Sequence, residues 1–175
     1  MIRLAKLSEA GQVCNIVNSR NVSRDSGESG LVEYPERPVG WYKRALNGNI
    51  NFYVAEEEDN VLGFCSAYTD QMLRNKMFTG DEIIKDILKN IGGPFLYIDQ
   101  VALLKSEEGK GFGKILLETV ILNSDLSKLV GACAHSPKRN EWSVGQFGRL
   151  GFILEREITV YDGLTFGIYC LNRFN

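Results

Sequence analysis

The stretch Glu107-Glu108-Gly109-Lys110-Gly111-Phe112-Gly113-Lys114 carries glycine at three alternate positions. The apolar run FLYIDQVALL (95–104) leads into it, and the run ILLETVIL (115–122) follows it. The first run reads as a strand and the second as a helix. A strand that ends in glycines and opens a helix suits an anion. The first turn of a helix has unpaired N–H groups, and the dipole adds about half a positive charge there. Glycine lets a phosphate approach the backbone.

Two known phosphate loops fail on spacing. A Walker A loop needs four residues between its glycines, then Lys and Ser/Thr. Here Gly109 and Gly113 enclose three residues, and Ile115 follows Lys114. The dinucleotide pattern GxGxxG begins at Gly109 and Gly111 but meets Lys114 where its last glycine belongs. A plain strand–helix connection is the bland alternative.

Outward from this loop the chain alternates strands and helices. MIRLAK (1–6) alternates as a first strand, and Ser8 is placed to cap a helix from Glu9 to about Ser19. Residues 20–38 are polar and rich in Gly and Pro, a loop followed by a short helix at 39–47. Asn51–Glu56 and Val61–Tyr68 form a hairpin about EEDN. Residues 71–80 do not commit to either type. Asp81 caps a helix ending near Asn90, and Gly92-Gly93-Pro94 stops it. Strand 95–104 is the fourth, and helix 112–123 follows the loop. Leu129–His135 is the fifth strand. Asn140 or Ser143 starts a helix through Arg149, and Gly151–Val160 and Thr165–Leu171 close the chain about Asp162-Gly163.

The 175 residues fit one domain spanning 1–175. Net charge is −2, with no dense Lys/Arg cluster, which argues against nucleic acid. The aromatic residues Phe52, Tyr53, Phe64, Tyr68 and Phe78 have no basic residues between them and read as core or cleft lining. No apolar run approaches the ~20 residues of a membrane span, and MIRLAKLSEA lacks a signal-peptide core. A cytoplasmic protein is expected. The four cysteines form no CxxC pair and there is one histidine, so reduced thiols and no metal are expected. Cys133 and His135 share one strand face, which permits a nucleophilic pair; a strand-end histidine facing solvent or a cleft is the favoured reading.

The order strand, xxGxG, helix resembles motif A of the GNAT superfamily of acyl-CoA N-acyltransferases. The family pattern Gln/Arg-x-x-Gly-x-Gly/Ala aligns on Glu108-Gly109-Lys110-Gly111-Phe112-Gly113. Both glycines match; Glu108 stands in for the leading Gln/Arg. IRLAKLSEAGQVCNIVN resembles the family's opening strand and helix, YIDQVALL its fourth strand, and NEWSVGQFGRLGFILERE its motif B. The likeness covers most of residues 1–160 in the family's order.

The resemblance implies an α/β fold with a mixed, mostly antiparallel twisted sheet, a splay between the fourth and fifth strands, and helices on both faces. It implies acetyl-CoA as acyl donor, its arm paired to the backbone at Val101 and Leu103. The pyrophosphate would sit on the amides of Gly109, Lys110, Gly111, Phe112, Gly113 and Lys114. Asn140 matches a position that bonds the cofactor arm, with helix capping as its other reading. An amine acceptor needs a base, and Asp99, on an apolar strand, is the leading candidate, with Tyr97, Asp70 and Glu33 behind it. A structural, salt-bridged Asp99 is the alternative. The oxyanion would meet the amide of Val101. The family's proton-donating tyrosine aligns with Phe147, so Tyr161 or water must serve, or the thiolate leaves unaided. That departure keeps a non-catalytic acyl-CoA-binding module open, and gap width leaves a longer acyl chain open. The acidic balance favours a cationic amine. The apolar edge of the last strand and the tail 172–175 invite a homodimer.

Overall fold

Seven strands form one mostly antiparallel sheet, and each expected strand is in it. The computed structural model describes residues 1–26, 28, 30–32 and 34–173. The candidate base Glu33 and the tail residues 174–175 lie outside the described residues. The sheet strands are β1 (Ile2–Leu4), β4 (Phe52–Glu57), β5 (Asn60–Thr69), β6 (Leu96–Leu103), β7 (Lys128–Ser136), β8 (Ile153–Val160) and β9 (Leu164–Asn172), ordered β1-β4-β5-β6-β7-β9-β8. Two residue pairs within 20–38, β2 (Asn21–Val22) and β3 (Leu31–Val32), make a separate parallel ladder. This stretch was expected to be loop throughout; the ladder is too short to show as periodicity.

The helices are α1 (Ala10–Arg20), α2 (Val39–Leu46), α3 (Asp70–Leu73), α4 (Glu82–Asn90), α5 (Phe112–Asn123) and α6 (Glu141–Arg149). Ser8 does not cap α1. It lies inside a single 3-10 turn, Leu7–Glu9. The Glu9 carboxylate instead accepts from the Lys6 N–H at 2.7 Å. Asp81 does cap α4, its Oδ1 accepting from Ile84 N–H at 3.0 Å. The undecided stretch 71–80 is α3 and a 3-10 turn, Lys76–Phe78, capped by Thr69 and Asn75.

The chain divides into two compact units, Met1–Ala67 with Asp99–Ser124, and Tyr68–Ile98 with Asp125–Asn175. In the first, α5 packs on β1 and β4, and α1 on α2. Val13, Ile16 and Val17 of α1 and Leu116, Leu117 and Val120 of α5 are buried. Phe52 stacks on Phe64 at 5.4 Å between centroids. Arg3 bonds both Glu9 and Glu56 there. In the second, α4 buries Ile83, Ile84 and Ile87 and packs against β8. Phe147 of α6 stacks on Phe152 at 4.4 Å.

β6 and β7 run parallel and pair over three residues only, Leu96↔Leu129, Tyr97↔Val130 and Ile98↔Gly131. No β6–β7 pair is described beyond Ile98↔Gly131. The burial of β6 changes there too. Leu96–Ile98 are all buried, whereas Asp99–Leu103 alternate half-buried and buried.

Candidate functional site

The glycine loop starts where β6 gives out. Leu104 N–H donates to the Leu62 carbonyl at 2.8 Å, and the 3-10 turn Lys105–Glu107 follows. Gly109 and Gly111 hold φ of 78° and 89°. Only glycine takes that left-handed conformation without cost. A Cβ on either would meet nothing within 4 Å, so the requirement comes from the backbone and not from crowding. Gly111 is the N-cap of α5 and offers no side chain to its first turn. The first amides of a helix have no partner within it. Phe112, Gly113 and Lys114 form the first turn of α5, and Gly109, Lys110 and Gly111 lead into it.

The charges around the loop are arranged in pairs. Lys110 Nζ lies 3.0 Å from Glu107 Oε2, and that bond holds the Glu107 carboxyl below its ordinary range. Lys114 lies 3.7 Å from Glu118 one helical turn on. Glu108, which replaces the family's Gln/Arg, bonds Arg20 Nη2 at 2.5 Å. Arg20 ends α1 and went unnoticed in the sequence. No spacing rule links positions eighty-eight residues apart.

On β6, Asp99, Val101 and Leu103 form the half-buried set. Alternate residues of a strand share a face. Asp99 acts electrostatically on Tyr42 of α2 and on Cys65 of β5. Burial pushes the Tyr42 phenol well above its ordinary value; Arg37 opposes this, and Cys14 and Asp99 add to it. Tyr42 is 1% exposed, and its hydroxyl has no hydrogen-bond partner among the described residues. Tyr42 was read from sequence only as a helix residue. Burial first, and Asp99 second, push the Cys65 thiol up as well. Tyr97 is buried and paired with Val130. Thr69, not Asp70, caps α3; Asp70 opens the helix, and its N–H donates to the Phe95 carbonyl at 3.1 Å.

In the second unit, Asn140 is the N-cap of α6, its Oδ1 accepting from Ser143 N–H at 3.1 Å. The capping reading holds for that oxygen. Phe147 lies over Gly131: a Cβ at 131 would fall 2.3 Å from its ring. Tyr161, named as a substitute acid, gives its hydroxyl to Asp81 Oδ1 at 2.7 Å. Burial and Asp81 push its phenol up. His135 corrects its pairing with Cys133 and its facing of solvent. Its side chain is 7% exposed, so it does not face solvent. Its ring nitrogens meet Glu157 and Tyr169, not Cys133. Among the described residues no cluster of His, Cys, Asp and Glu could hold a metal.

The profile of the Acetyltransferase (GNAT) family matches residues 19–152. The chain belongs to that family. The family supports acyl-CoA-dependent N-acyltransferase activity. Solved structures share the fold at low identity. An N-acetyltransferase from Staphylococcus aureus Mu50 is 20% identical with a TM-score of 0.66, covering 98% of this chain and 97% of that one. The Salmonella typhimurium protein yncA, determined with its cofactor acetyl-CoA, is 18% identical with a TM-score of 0.67, covering 100% and 94%. Ribosomal-protein-alanine N-acetyltransferase from Brucella melitensis is 17% identical with a TM-score of 0.68, covering 98% and 99%. No curated protein sequence matches the chain. No helix among the described residues is long and apolar enough to cross a membrane.

Proposed function

We propose that the protein moves an acetyl group from acetyl-CoA to a primary amine by direct attack. The observation that carries this reading is the loop. Two left-handed glycines with open space above them run into a helix whose N-cap has no side chain. An anion with two phosphates fits amides of Gly109 to Lys114, with Lys110 and Lys114 supplying diffuse positive charge. Val101 and Leu103 would offer backbone groups to the amide-bearing arm, as one strand does to another.

Asp99 would take the proton of the attacking amine. The amine nitrogen then bonds the acetyl carbon, and the C–S bond breaks. Developing charge on the acetyl oxygen would be met by the Val101 N–H. Tyr97 would act behind Asp99 on the same strand. Asn140 retains its amide nitrogen as a donor to the arm, since its oxygen caps α6. The acidic balance favours a cationic acceptor, and the reading carries a cytoplasmic enzyme, without nucleic acid or membrane, that pairs as a homodimer. Phe147 favours one rival, an acyl-CoA-binding module without turnover, because phenylalanine has no proton to give.

The test is thermal unfolding with acetyl-CoA, CoA, ATP and NAD. Binding to the folded state alone adds about 2.7 kcal/mol at a hundredfold excess over Kd. A shift with the CoA compounds that Gly111→Glu abolishes supports the loop assignment. A shift with ATP or NAD and none with CoA would sink it. Thiol release on adding amines then separates the enzyme from the binding module.

A further inference from the structure

We propose that the amine acceptor also carries a carboxylate, which Arg37 binds, and that the substrate class is the free amino acids. This inference rests on the acetyltransfer reading above, with Asp99 at the amine. Arg37 lies half-buried between two aromatic rings. Its guanidinium carbon is 3.9 Å from the centre of the Trp41 ring and 4.8 Å from that of Tyr34. A guanidinium held between rings keeps its N–H donors in its own plane. Their fork matches the two oxygens of a carboxylate.

Each part of this clamp is fixed from behind. The Asn21 side chain bonds the Tyr34 backbone twice: its Nδ2 donates to the carbonyl at 2.9 Å, and its Oδ1 accepts from the N–H at 3.0 Å. Cys14 Sγ donates to the Arg37 carbonyl at 3.5 Å. Trp41 is buried and meets the Tyr42 ring edge-on at 5.1 Å. Gly30 lies against the Arg20 carbonyl, where a Cβ would fall 2.4 Å from the oxygen. A side chain there would push the segment that leads to Tyr34 away from the end of α1. Arginine has much rotamer freedom to lose, and a guanidinium already held in place loses less of it on binding.

Two opposite charges act on one hydroxyl. The Tyr42 hydroxyl is buried, with no hydrogen-bond partner among the described residues. Burial pushes its phenol up, Arg37 pulls it down, and Cys14 and Asp99 push it up. The same hydroxyl thus feels both the Arg37 cation and the Asp99 carboxylate. Tyr34, Arg37, Trp41, Tyr42 and Asp99 all belong to the first compact unit. A zwitterion presents the complementary pair, a carboxylate for Arg37 and an ammonium for Asp99. The Tyr42 O–H is a further donor for that carboxylate. A cationic amine with no carboxylate would meet the Arg37 charge as repulsion. The net charge of −2 describes the whole chain and not this corner.

The experiment uses the full chain with acetyl-CoA and acceptor pairs that differ by one carboxylate. The pairs are phenylalanine and phenethylamine, tryptophan and tryptamine, arginine and agmatine, and ornithine and putrescine. Free CoA is read by thiol release. In at least one pair the amino acid should exceed its amine in kcat/KM about a hundredfold, the scale of a charged, bidentate contact. Arg37→Met should remove that preference, through KM for the amino acid, with the Kd for CoA within about twofold of the parent. Arg37→Lys should keep part of the preference, because the charge stays and the fork is lost. Tyr42→Phe should lower it about tenfold. A parent that favours the decarboxylated amine in every pair overturns the proposal. So does an Arg37→Met protein that slows both members of a pair equally, which would leave Arg37 as a structural clamp. A parent that binds CoA and acetylates none of the eight compounds overturns it as well. Calorimetric binding of CoA keeps the two readings apart. A parent that binds no CoA defeats the transferase and the amino-acid site together. A parent that binds CoA and acetylates only the plain amines defeats the amino-acid site alone.

Discussion

Arg20, the last residue of α1, bonds Glu108 of the glycine loop at 2.5 Å. Glu108 puts a carboxylate where the family carries Gln or Arg, next to a loop suited to phosphate. The guanidinium pairs with that carboxylate and offsets its charge. Arg20→Ala is expected to raise the Kd for CoA about fivefold, since half-exposed pairs are worth roughly 1 kcal/mol. Arg20→Ala with Glu108→Gln should restore the affinity, because the damage comes from the uncovered charge. Calorimetric titration of CoA checks both. An Arg20→Ala protein with parental affinity would show that Glu108 does not act on the loop's ligand.

Local chemistry made much of the fold legible. Asp81, Asn140 and the EEDN turn act within a few residues of themselves, and each does what its residue type does elsewhere. The glycine loop was readable because left-handed backbone leaves a mark in the sequence. The rest depended on distant pairs. Ser8 looks like a cap, but it lies inside a 3-10 turn whose Glu9 is bonded by Arg3, six residues away. Tyr169 looks like any inward strand residue until His135, thirty-four residues away, reaches its hydroxyl. Gly131 and Gly167 read as ordinary strand glycines, and only the rings lying across them show why a side chain is excluded.

Gly131→Ala would drive a methyl to within 2.3 Å of the Phe147 ring. Neither partner can yield easily. The ring is stacked on Phe152, and residue 131 sits in β7 opposite Tyr169. Overpacking of this kind costs about 1–3 kcal/mol. Tm should fall by about 2–12 °C for a chain of this size. Adding Phe147→Leu should recover part of the loss, since a smaller side chain vacates the site. Scanning calorimetry of the single and double variants decides it. If Phe147→Leu deepens the loss by its own full cost, the two positions do not clash.

Arg3 sits between two carboxylates, with Glu9 buried. Burial pushes the Glu9 carboxyl up, but bonds from Arg3 and the Lys6 N–H outweigh it, and the net direction is down. Arg3 likewise lowers Glu56. A carboxyl depressed in the folded state stabilises above its unfolded value near 4.3, and that contribution is lost as pH falls through the folded value. Arg3→Met leaves two like charges together and should lower stability at pH 7. The difference from the parent should shrink steadily below about pH 4. Urea unfolding from pH 7 to pH 3 measures this, and a gap constant with pH would rule the cluster out as its source.

Asp99→Asn keeps the shape of the side chain and removes the proton acceptor. With Asp99 as base, kcat for amine acetylation should fall about 10²–10³-fold, and the Kd for CoA should not change. Activity in the variant should rise with pH, as more acceptor amine arrives already deprotonated. If Asp99 is only structural, Asp99→Asn should lower Tm and leave kcat per folded molecule intact. Steady-state rates set beside melting curves separate these outcomes.

Three thiols are held in the protonated form. Burial pushes Cys133 up to about 12, with Arg139 opposing, and burial with the Glu155 bond takes Cys170 to about 12. Cys65 is raised by burial and by Asp99. At pH 8 roughly one in 10⁴ of a thiol with that value is thiolate, and thiolate is the nucleophile. Iodoacetamide at pH 8 should therefore leave Cys65, Cys133 and Cys170 unmodified in the native protein and label them once urea unfolds it. Peptide mass mapping reads each site separately. Rapid native labelling of Cys133 alone would mean that His135 activates it as a nucleophilic pair. The Glu157–His135–Tyr169 row would then be the wrong partnership for that ring.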